Sequence, residues 1–128
     1  MKEKKQILCF SVEHKKETRI QDVCRKLGIQ TKTVSGEQYG CALGYLAGIP
    51  GIPVIGQDED FQGRPPLSSP FMAEMLVFSG INSDELDVFL EAYKDAGIPP
   101  VPLKAILTPT NVFWSAHKLY RVLWAEHH

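Results

Sequence analysis

The sequence predicts an α/β fold in which two pseudo-repeated βαβα units share one mixed four-stranded sheet, and three observations carry that prediction. The runs ILCFS at 7–11 and MLVFSG at 75–80 share the signature L-x-F-S. Each is followed by an amphipathic stretch with an apolar period of about 3.6 residues, which ends on a Gly-Ile pair, Gly28-Ile29 or Gly97-Ile98. Each half then reaches a polar, helix-opening sequence, Ser35-Gly36-Glu37-Gln38 or Thr108-Pro109-Thr110-Asn111. A shared order at matched offsets points to an internal repeat.

Every element has a local reason. Residues 7–11 are short, apolar and rich in strand formers, and the stretch after them places Ile20, Val23, Cys24 and Leu27 on one helical stripe. Gly28 stops that helix, and residues 29–35 form a second strand. Ser35 with Gln38 three residues on has the spacing of a capping box, which predicts a helix over 37–47. In the second half, residues 75–79 form the strand, and the next helix buries Leu86, Phe89, Leu90, Tyr93 and Ala96. Pro99, Pro100 and Pro102 cannot donate to a ladder, so the strand after them belongs at a sheet edge. Thr108 as N-cap and Pro109 at the first helical position predict a last helix from 109 to about 125. The units span 7–48 and 75–125 of a single domain, 1–128. They are joined by a Gly/Pro-rich connector, 49–74, which wraps over the surface and leaves room for a short strand at 52–55. Right-handed crossovers with the first strands meeting in the middle give the order 2-1-3-4.

Composition bounds the function. The 128 residues are 44% hydrophobic, enough for one ordinary core without a staple. A net charge of −1 offers no global field for nucleic acid or an anionic membrane, so neither is an expected partner. The charge is uneven, because residues 1–35 hold nine basic and four acidic side chains while acids dominate the rest. Cys9, Cys24 and Cys41 are an odd number with no C-x-x-C spacing and no clustered histidines, which argues against a disulfide framework, a redox pair or a zinc site. No metal or cofactor is implied. The start of the chain is too short and too polar for a signal peptide or a span, so a cytoplasmic location is expected. Asp58-Glu59-Asp60 reads as a solvated acidic turn.

The segment 75–123 resembles an uncharacterised bacterial domain-of-unknown-function family common in Firmicutes. The matching features are the strand ending in Phe78-Ser79-Gly80, the Gly97-Ile98 pair, and Lys104-Ala105 leading to Thr108-Pro109-Thr110-Asn111 and Trp114. The resemblance implies the βαβα unit and a bacterial source, and it singles out the Thr-Pro-Thr-Asn motif. The first half has Ser-Gly-Glu-Gln there and no following tryptophan, and so looks like a degenerate copy.

Candidate site residues follow. A helix entrance at Thr108, Thr110 and Asn111 would face a small anion, with Lys104 supplying charge and Trp114 a flat apolar contact. Trp114 shares the polar side of the predicted last helix with Lys118 and Arg121, the composition of an interface anchor, so a homodimer through that helix is a second expectation. Its cover could also be the connector, through Phe61 or Phe71. Gly40, Gly44 and Gly48 read as a close-packing stripe within the first-half helix. Cys41, near the start of that helix, is the candidate nucleophile, with Lys104 as the other reactive group. The expected function is a non-catalytic ligand-binding or protein-interaction module. Its alternative is a small transferase or isomerase acting on an amino-acid-like metabolite. GxSxG, HExxH, P-loop and dinucleotide motifs are absent.

Overall fold

The computed structural model describes residues 4–58 and 73–127. At its centre β1 (Gln6–Phe10) and β3 (Met75–Ser79), both buried along their whole length, pair antiparallel, with Gln6 opposite Ser79 and Phe10 opposite Met75. Each carries a parallel partner on its outer side, β2 (Gln30–Val34) on β1 and β4 (Leu103–Ile106) on β3. The sheet is therefore mixed, in the order β2-β1-β3-β4 that the sequence patterns predict, with the proline-preceded strand at an edge.

The crossover helices α1 (His14–Leu27) and α3 (Ser83–Asp95) lie side by side on one face, and α2 (Leu43–Leu46) and α4 (Ala116–His127) cover the other. Alternation along the central strands divides the core accordingly. Ile7, Cys9, Leu76 and Phe78 pack with Ile20, Val23 and Phe89, whereas Leu8, Phe10, Met75 and Val77 pack with Leu43, Leu46, Ala116 and Leu119. Each of the fully buried phenylalanines, Phe10, Phe78 and Phe89, contributes roughly 1.5–3 kcal/mol by leaving water.

Corresponding positions in the two halves can be paired residue by residue. Ser11 and Gly80 both turn at positive φ, 59° and 70°. His14 and Ser83 open the helices, Ile20 and Phe89 are both wholly buried, and Gly28 and Gly97 close the helices at φ 73° and 70°. One constant sequence separation links all these pairs. The L-x-F-S signature is one residue out of step with it. Matching Leu8 to Leu76 and Phe10 to Phe78 pairs side chains from opposite faces of the sheet, because a one-residue slip in a strand swaps the faces. The counterparts in space are Ile7 with Leu76 and Cys9 with Phe78. After Gly-Ile the second half inserts Pro99, Pro100, Val101 and Pro102 before its strand, whereas Ile29 runs directly into β2.

The second helix of each half starts later than the sequence predicts. Residues Gly36–Gln38 and Asn111–Phe113 form single 3-10 turns, and two bridge residues, Cys41-Ala42 and Trp114-Ser115, come directly before α2 and α4. The connector causes this delay. Ala42 N donates to Val54 O at 2.9 Å, Gly56 N to Gly40 O at 2.9 Å, Gln57 N to Phe113 O at 2.7 Å and Ser115 N to Gln57 O at 3.0 Å. These backbone groups cannot serve a helix and a strand at once. Ile55 and Gln57 make isolated bridges to Cys41 and Trp114, and Ala42 bridges its counterpart Ser115. The Ser35 box is not formed: its hydroxyl lies 3.4 Å from Gln38 Oε1 and caps nothing. A full capping box opens α3 instead, from Asn82 and Glu85. Of the predicted glycine stripe, Gly44 alone sits in a helix, where an added Cβ would come within 3.0 Å of Val112 O.

Candidate functional site

The Thr-Pro-Thr-Asn motif does not open an α-helix, because α4 begins only at Ala116. It builds a locked turn after β4. Thr108 N donates to Asn111 Oδ1 at 2.8 Å, Asn111 N donates to Thr108 Oγ1 at 3.0 Å, and Asn111 Nδ2 donates to Ile106 O at 3.1 Å. Asn111 is buried and its side chain is spent on the turn, whereas Thr108 and Thr110 are exposed. The residue that caps α4 is Ser115, whose Oγ accepts from Lys118 N at 3.1 Å. Trp114 lies ahead of the helix, half-buried against the α2/α4 core, with the Lys118 ammonium 4.6 Å from its ring centre. Its backbone bridges Gln57 of the connector; Phe61 and Phe71 lie outside the described residues.

Lys104 faces the other side of the sheet from Trp114, since Leu103 and Ala105 take the inward α4 direction. Its Nζ donates to Val101 O at 2.9 Å. Lys104 and Thr108 line a groove of about 410 Å³ between α3 and the edge strand, whose other walls are Phe78, Leu86, Leu90, Ala105 and Ile106. Leu90 and Ile106 are 38% and 44% exposed there. The five candidate residues thus fall into two groups: Lys104 and Thr108 at this groove, and Asn111 and Trp114 toward the opposite face, with Thr110 at the turn between. Periodicity over β4 carried the signal for this division, because residues alternate from Leu103 onward.

The corresponding edge of the first half is polar instead. The counterparts of Leu86, Leu90, Ile106 and Phe78 are Glu17, Gln21, Thr33 and Cys9. Glu17 is buried in a helix otherwise packed on apolar residues, and Thr33 Oγ1 donates to its Oε2 at 2.9 Å. The remaining hollow beside it, lined by Gln21, Arg25, Ile29, Gln30 and Thr31, is polar.

Asp58 is not solvated, as the acidic run suggested; Glu59 and Asp60 lie outside the described residues. Its side chain is 10% exposed, accepts from Ser115 Oγ at 2.6 Å and forms an ion pair with Arg121. Gly56 makes this possible, because a Cβ there would stand 2.5 Å from the Ser115 backbone. His117 is buried with its ring edge-on to Tyr39 at 5.9 Å. Burial pushes its imidazole pKa down, against a smaller upward pull from Asp58 and together with a downward push from Arg121. No sequence pattern flagged this cluster, whose members come from three separate segments.

Cys41 precedes α2 rather than sitting in its first turn, and a helix of four residues gives it little dipole. Cys9 and Cys24 are buried core residues; burial pushes the Cys24 thiol up to about 12 and the Cys9 thiol higher. Among the described residues no group of three or more His, Cys, Asp or Glu side chains is placed to hold a metal ion, and no helix is long and apolar enough to cross a membrane.

Fold and groove define a small α/β module with one open, apolar edge. Residues 74–128, from the residue before β3 through α4, match a family described as a domain of unknown function, DUF3783. No curated protein and no solved structure matches the chain.

Proposed function

We propose that this chain is a non-catalytic binding module that holds a small amphipathic anion in the α3–β4 groove. The apolar body of the ligand lies on Phe78, Leu86, Leu90 and Ile106. Its carboxylate or phosphate takes a hydrogen bond from the Thr108 hydroxyl and the charge of Lys104, whose ammonium needs only to turn from Val101 O. The observation that carries the reading is the contrast between the two edge grooves: at corresponding positions one is polar, with Glu17 and Thr33 hydrogen-bonded to each other, and the other is apolar and rimmed by a cation. Pockets that bind small molecules combine a mostly apolar lining with a few placed polar groups. The match of residues 74–128 to a single family supports placing the site in the second half. Asn111 and Trp114 support the site by fixing the turn that carries Thr108. The same proposal takes the halves as copies of one duplicated unit in a bacterial cytoplasmic protein, supported by their matched turns and by two buried, unpaired thiols.

The test is an amide chemical-shift titration with octanoate and with inorganic phosphate. Saturable shifts at Leu90, Lys104, Ile106 and Thr108 with octanoate, weakened in Lys104→Met, are expected. Shifts scattered over the surface, or none, would refute the groove as a site.

A further inference from the structure

We propose that the outer face formed by α1 and α3 is a self-complementary surface on which a second copy of this chain docks. The two helices present complementary charge on this face. The exposed side of α1 carries Lys15, Arg19, Arg25 and Lys26, with Asp22 among them, and that of α3 carries Asp84, Asp87, Glu91 and Asp95, with Lys94 among them. Lys15 corresponds to Asp84 and Lys26 to Asp95, inverted in sign at both ends of the helices, while Asp22 with Glu91 and Arg25 with Lys94 keep theirs; the exposed side is basic on α1 and acidic on α3. Lys15, Lys26, Asp84 and Asp95 have no ion-pair partner among the described residues, while other charges on these helices, Lys16 and Glu85, are engaged within the chain.

The topology sets how two such faces can meet. Because β1 and β3 run antiparallel and each is followed by its helix on the same face, α1 and α3 are antiparallel neighbours. A twofold axis lying between the copies and parallel to the helices puts α1 of one over α3 of the other, again antiparallel. Lys15 then faces the partner's Asp95 and Lys26 the partner's Asp84, with Arg19 opposite the partner's Glu91. A twofold across the helices would instead stack α1 on α1 and is repelled. Such an isologous contact satisfies each pair twice. Complementary charge of this kind sets register and speeds encounter, and it responds to salt.

Sedimentation velocity of the full chain tests this at low and at high salt. A dimer at low salt whose dissociation constant rises about tenfold or more at high salt is expected. Lys15→Glu with Lys26→Glu, and separately Asp84→Lys with Asp95→Lys, should each give a monomer, and an equimolar mixture of the two variants should restore the dimer. Restoration also shows that both variants are folded. A monomer at low salt overturns the proposal. So does a dimer indifferent to salt and to both double variants, which would put the contact elsewhere, as at Phe113 and Trp114 ahead of α4.

Discussion

The two edge grooves of the sheet are built on the same backbone plan and end in opposite chemistry. Beside β2, Glu17 reaches inward from α1 and is met by the Thr33 hydroxyl, and the hollow next to this pair is polar. Beside β4, the corresponding Leu86 and Ile106 leave the space open and apolar, and Lys104 stands on the rim where the first half has Thr31. The difference teaches that the centre is constrained by packing and the edge is where the second half is free to specialise.

The largest effect should come from breaking what the halves share. Phe89→Ala and Ile20→Ala empty corresponding, wholly buried positions, and urea unfolding should show losses of about 3–5 and 2–5 kcal/mol respectively. A near-zero cost at either position would break the correspondence. Next is the connector that ties the halves together. Gly56→Ala drives a methyl group into the Ser115 backbone and should cost about 1–3 kcal/mol, whereas Gly40→Ala, with nothing within 4 Å of the new Cβ, should be close to neutral.

Smaller effects sharpen the comparison of the two turns after the outer strands. Asn111→Ala removes both side-chain hydrogen bonds of a buried residue and should cost about 1–3 kcal/mol, while its counterpart Gln38, which caps nothing, should tolerate alanine within about 0.5 kcal/mol. The smallest effect is one of pH. His117 has a folded pKa below the usual 6.5, so the unfolded chain takes up that proton first as pH falls. Its contribution is therefore present above pH 6.5 and lost progressively below it. Chemical unfolding at a series of pH values should show stability falling on acidification, and His117→Gln should flatten that fall.

The architecture was legible because it is written in periodicity. The five-residue apolar strands, the stripe through Ile20 and Cys24, the helix-stopping glycines and the prolines before β4 each act locally, and together they yield the strand order. What was not legible depends on contacts between distant segments. The late starts of α2 and α4 follow from backbone bonds to residues 54–57, and no local propensity records a partner that arrives from elsewhere in the chain. The burial of Asp58 and His117 has the same origin. The L-x-F-S match misled because identity of letters outweighed the one-residue difference in spacing to the following glycine, and in a strand one residue is a change of face. At the site, Lys104 and Thr108 were legible as residues, but the groove they line also needs Leu86, Leu90 and Ile106, whose apolar character reads in sequence as core.

The central claim is that the open groove of the second half retains a small molecule that the first half cannot hold. Native mass spectrometry of the protein as purified from a bacterial host tests it most directly, with wild type run beside the Leu90→Gln, Ile106→Thr double variant, which gives the second groove the polar residues of the first. The account predicts a mass excess on the wild type that disappears on denaturation and is missing from the folded variant. A bare wild-type mass, or an excess that the variant keeps, would contradict it.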